Sequence, residues 1–135
     1  MTRQKAIRTL FVMWLVIAAV PTLIITIQSL SRGYGDDSEL AWQWLLGQYT
    51  PVISVLLAAV FSEPSTRWKN APTNLWRFRW AVGISAFQAF AILMVLCLPL
   101  AGFSPFLLFE KTQTALSLFQ AVAVASVGAV VFDGR

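Results

Sequence analysis

Four stretches of this chain carry no charged residue: Thr9 to Ser31, Leu40 to Ser62, Trp80 to Phe109 and Thr112 to Phe132. Crossing a bilayer core of about 30 Å takes about 20 helical residues, and each stretch reaches that length. Pro99, Gly102 and Pro105 break the third after roughly residue 100. The runs are continuously apolar, whereas barrel strands would alternate, so helices are expected rather than a barrel. The predicted fold is an all-α integral membrane protein. It is a single domain, residues 1–135, with four transmembrane helices in an antiparallel bundle, at about 9–30, 40–61, 76–99 and 106–132.

Composition agrees. Hydrophobic residues make up 58% of the chain and charged residues only 12%, against about a quarter charged in soluble domains. Such a chain has too little polar surface to cover itself in water. The segment "TRQKAIR" before the first run could open a cleavable signal peptide, but the apolar run from Leu10 to Ile27 exceeds the usual h-region of about 7–15 residues. A retained first helix is expected.

The positions of Lys and Arg predict orientation. Arg3, Lys5 and Arg8 precede the first run; Arg67, Lys69, Arg77 and Arg79 lie between the second and third; Arg135 ends the chain. Only Arg32 and Lys111 fall on the other side, beside Asp36, Asp37, Glu39 and Glu110. Both termini are therefore expected in the cytoplasm, with the chain multi-pass in the cell (inner) membrane.

The stretch "RWKNAPTNLWRFRW" from Arg67 to Trp80 mixes cations with tryptophan. Cations with stacking rings can serve single-stranded nucleic acid. Between two spans, the same residues are better read as an interface anchor, because Trp gathers at headgroup depth and long cationic chains snorkel there. Arg67, Trp68, Lys69, Trp76, Arg77, Arg79 and Trp80 are thus expected at anionic lipid headgroups on the cytoplasmic face. Trp42 and Trp44 would form the matching belt opposite. No nucleic-acid partner is expected. The loop "SRGYGDD" lacks the ligand spacing of a calcium loop and reads as a solvated turn.

A short echo joins the third and fourth runs: "SAFQAFAI" begins at Ser85 and "SLFQAVAV" at Ser117. Small residues recur around it. Ala81, Ser85 and Ala89 form one row, Ser117, Ala121, Ala125 and Ala129 another, and Gly47, Thr50, Ser54 and Ala58 a third. Small residues let membrane helices approach closely, so these rows are expected to pack. An unpaired amide in hydrocarbon costs several kcal/mol. Gln88 and Gln120 should therefore face a protein partner or water, and in a tight antiparallel hairpin they fall at similar depth. Repeated around an oligomer, the same amides could line a pore.

Several kinds of chemistry lack their residues. The chain has no histidine and a single cysteine, Cys97, which rules out an internal disulfide or a CxxC redox pair. Cys97 is expected to pack as a small apolar residue. No predicted span holds a carboxylate or lysine, the groups ion-coupled pumps and exporters need within the membrane. No catalytic, cofactor or metal site is expected. The favoured reading is a small non-catalytic membrane subunit that self-associates or joins a larger membrane complex. The alternative is an oligomeric pore-forming or channel-like effector, a toxin or defence component that permeabilises the inner membrane. A substrate transporter would need a polar cavity that these residues barely supply.

Overall fold

The computed structural model describes residues 1–31, 33–61 and 70–132. Four helices, α1 (Arg3–Leu30), α2 (Ser38–Phe61), α3 (Leu75–Cys97) and α4 (Pro105–Val131), make up nearly all of it. All four are long and apolar enough to cross a membrane. Short 3₁₀ turns at Gly35–Asp37 and Leu98–Ala101 complete the described connections.

Local sequence accounts for the helix ends. Arg3, Gln4 and Lys5 are good helix formers, so α1 extends through the basic segment ahead of its apolar run. The Asn74 side chain accepts from the Trp76 N–H at 3.0 Å and caps α3. Gly102 adopts φ 90° where the Leu98–Ala101 turn ends, a left-handed conformation that glycine takes without a Cβ penalty. Pro105 then opens α4, where its missing N–H costs nothing. The Ser104 hydroxyl makes no cap bond.

Around the bundle the helices follow the order α1, α2, α4, α3. At one end the Arg3 N–H donates to the Ala71 carbonyl at 3.0 Å and the Thr73 N–H to the Met1 carbonyl at 3.1 Å. Those bonds tie the starts of α1 and α3 together. At the other end Tyr34, from the α1–α2 connection, packs edge-on to Phe109 of α4, with ring centres 5.7 Å apart. Trp44 of α2 meets the same phenyl ring at 5.1 Å. Consecutive helices therefore run antiparallel, while the two hairpins join through parallel neighbours, α1 with α3 and α2 with α4.

Two prolines sit inside helices, Pro21 in α1 and Pro51 in α2. Proline has no N–H, so the carbonyl four residues earlier loses its helical donor. For Pro21 that carbonyl belongs to Ile17, and the Tyr49 hydroxyl of α2 donates to it over 3.4 Å. A neighbouring helix thus supplies the donor that the proline removed. The freed carbonyl becomes a joint between α1 and α2.

Candidate functional site

Three buried glutamines gather in one layer near the middle of the helices. Gln88 of α3 is fully buried, Gln48 of α2 is 2% exposed and Gln120 of α4 is 5% exposed. The Gln88 Nε2 donates to Gln120 Oε1 at 2.6 Å and to Gln48 Oε1 at 3.3 Å. One amide thus links three helices, including the diagonal pair α2 and α3. Gln88 Oε1 and Gln120 Nε2 are buried without a hydrogen-bond partner.

A second bond lies beside this layer. The indole N–H of fully buried Trp14 donates to Ser85 Oγ at 3.1 Å, joining α1 to α3. Trp14 also stands edge-on to Tyr49, with ring centres 5.9 Å apart. Trp14, Tyr49, Gln48, Ser85, Gln88 and Gln120 therefore form a contiguous polar and aromatic plug drawn from all four helices. Each amide or hydroxyl bond here forms away from water, where a missed bond is costly.

The echo between α3 and α4 has a spatial meaning. Gln88 bonds Gln120, its counterpart in the repeated stretch, and Phe87 packs on its own counterpart Phe119 at 5.2 Å. The two copies meet across a local two-fold relation at the α3–α4 crossing. It holds only there. Ser85 serves Trp14, whereas Ser117 is exposed and donates to the Gln113 carbonyl of its own helix at 2.7 Å.

The other expected site residues divide by face. Ala81 and Ser85 are buried and Ala89 is half-buried, so the α3 row packs inside the bundle. On α4 the inner stripe is instead Leu116, Gln120, Ala123, Val127 and Val130. Ser117, Ala121, Ala125 and Ala129 are exposed and lie off that stripe. The row runs one to two positions past the inner stripe, which turns it away. Gly47, Thr50, Ser54 and Ala58 of α2 are likewise exposed.

The aromatic residues expected at the interface divide in the same way. Trp44 is only 3% exposed and packs on Phe109, because it shares the inner face of α2 with Ala41, Leu45, Gln48 and Val52. Trp42 is half-buried beside an apolar groove of about 380 Å³ between α1 and α2. Trp76 and Trp80 are 65% and 54% exposed and stand edge to face at the start of α3. Arg77 and Arg79 are exposed beside them. Arg67, Trp68 and Lys69 lie outside the described residues. Cys97, expected to pack, is exposed at the end of α3.

Gln48 was not singled out by sequence, although its signal was there: an amide within an apolar run needs a partner as much as Gln88 does. Among the described residues, no three His, Cys, Asp or Glu side chains come together to hold a metal ion. In the α1–α2 connection, the Tyr34 phenol is pushed above its ordinary value by burial and, less, by the nearby Cys97. No known protein family, curated protein or solved structure matches the chain.

Proposed function

We propose that this chain is a small, non-catalytic, multi-pass subunit of the inner membrane that associates with further copies of itself or with a larger membrane complex. Its termini lie in the cytoplasm, and its polar plug holds the bundle in one register. The excess of Lys and Arg at one end supports that orientation.

One observation carries the reading. The small-residue rows of α2 and α4, Gly47, Thr50, Ser54 and Ala58 and Ser117, Ala121, Ala125 and Ala129, are exposed on the outside of the bundle. In lipid, where apolar burial offers no drive to associate, close backbone approach at small residues is what helix faces offer one another. Pro51 strengthens the point on α2. It cannot donate to the Gly47 carbonyl on that same face, and an approaching helix could.

The pore-forming alternative relied on glutamines repeated around an oligomer. Gln88 and Gln120 instead bond each other within one chain. Nothing in this arrangement favours that alternative over assembly through outward faces.

The test is particle mass in mild detergent, by gel filtration with light scattering. Gly47 is exposed and a Cβ there would meet nothing within 4 Å, so Gly47→Ile puts its bulk on the outer side of α2. With Ala125→Ile it is expected to convert an oligomer, or a complex with a co-purifying partner, to the free monomer without loss of helix content. A wild-type particle that is strictly monomeric and alone rejects the reading.

A further inference from the structure

The first turn of α3 carries a feature that bundle packing does not use. Trp76 and Trp80 meet edge to face, with ring centres 5.5 Å apart and ring planes 77° to each other. Together with Arg79 they line an open notch of about 170 Å³. Both tryptophans are more than half exposed. The Asn74 cap fixes the backbone at Trp76, and Trp80 stands one turn on, where the charge-free run of α3 begins.

The notch has two electrostatic walls. Indole faces are negative and attract an ammonium group. The Arg79 guanidinium is a fixed cation that suits phosphate oxygens. A simple anion would use only Arg79, and a simple cation would meet the rings but be repelled by the arginine. A group that joins an ammonium to a phosphate satisfies both walls.

We infer that the Trp76–Arg79–Trp80 notch binds the headgroup of a zwitterionic phospholipid, its ammonium against the two indoles and its phosphate on Arg79. This rests on the reading that α3 crosses a membrane with its first turn at headgroup depth. It goes beyond a general attraction of cations to anionic lipid, because it predicts preference for a lipid with no net charge. The acyl chains would then run down the exposed apolar side of α3.

Full-length protein with ¹⁵N-labelled indoles, in uncharged maltoside micelles, provides the test. Short-chain phosphatidylethanolamine and phosphatidylglycerol with identical acyl chains are titrated in turn. The Trp76 and Trp80 indole resonances are expected to shift saturably with the amine lipid, and about tenfold more weakly with the glycerol lipid. Trp76→Leu and Arg79→Gln should each weaken binding of the amine lipid about tenfold. The Trp14 indole, held by Ser85, should stay in place in every variant and reports an intact fold. Equal affinity for the two lipids, response to the glycerol lipid alone, or no saturable shift overturns the inference.

A lipid-borne spin label separates this failure from failure of the membrane reading. If a headgroup label broadens Trp80 while no selective shift appears, the notch is rejected and the span stands. If no lipid-borne label broadens Trp80, the span itself is rejected.

Discussion

Gln88 donates to Gln120, 32 residues later, over 2.6 Å, and the same Nε2 reaches Gln48 on the diagonal helix at 3.3 Å. Three amides thus share one buried donor group. Removing that group strands two acceptors at once, whereas replacing all three amides strands none. Gln88→Met should therefore destabilise the bundle by about 1–2 kcal/mol. The triple change Gln48→Met, Gln88→Met, Gln120→Met should cost less than the sum of the three single changes. Unfolding in mixed micelles, followed by tryptophan emission, would measure both. Strictly additive costs would mean that the amides do not act as a unit.

A second coupling joins Pro21 to a residue on another helix. Proline leaves the Ile17 carbonyl without its helical donor, and the Tyr49 hydroxyl takes that place at 3.4 Å. Tyr49→Phe is expected to cost about 1 kcal/mol in the presence of Pro21. In a Pro21→Ala background the helix regains its own donor, and the cost of losing the hydroxyl should fall toward zero. The double-mutant cycle is the measurement. An unchanged cost in both backgrounds would separate the tyrosine from the proline.

Reading the helices from sequence succeeded because lipid-length apolar runs leave few other folds. The amides were legible for a related reason: a polar group in such a run must find a partner. Rotation was harder. The α4 row Ser117–Ala121–Ala125–Ala129 and the buried stripe Leu116–Gln120–Ala123–Val127 differ by only one or two positions, and both look like packing faces. Small residues favour close approach without saying whether the neighbour belongs to the same chain. Trp44 is ambiguous in a similar way, since an aromatic near a helix end suits both a headgroup belt and an inner corner. Its stacking on Phe109 depends on the order of helices around the bundle, which no local pattern encodes.

That inner corner should be sensitive to alkali. Tyr34 is buried against Phe109, and its phenol is pushed above its ordinary value of 10.0, first by burial and then by Cys97. The folded form holds the proton more tightly than the unfolded chain. Stability is thus fully present below about pH 10 and is lost as pH rises through the folded value. The thermal midpoint should drop between pH 9 and 11 by more in the wild type than in Tyr34→Phe. An equal drop in both proteins would show that the phenol does not ionise on unfolding.

The outward face of α4 makes the most direct claim about assembly, and single cysteines can read it. In a Cys97→Ser background, Ala125→Cys places a thiol on the exposed row, while Ala123→Cys places one on the buried stripe. Disulfides form only when the two Cβ atoms approach to about 4 Å, a distance small-residue helix interfaces reach. If α4 of one copy lies along α4 of another, mild oxidation in native membranes should give a dimer with Ala125→Cys. Ala123→Cys should give none, because Ala123 is fully buried within its own chain. The same dimer from both positions would point to random collision or an opened bundle. Failure at Ala125, and equally at Ala121 and Ala129, would move the contact to another face or to a different partner, with the α2 row from Gly47 to Ala58 as the next surface to label.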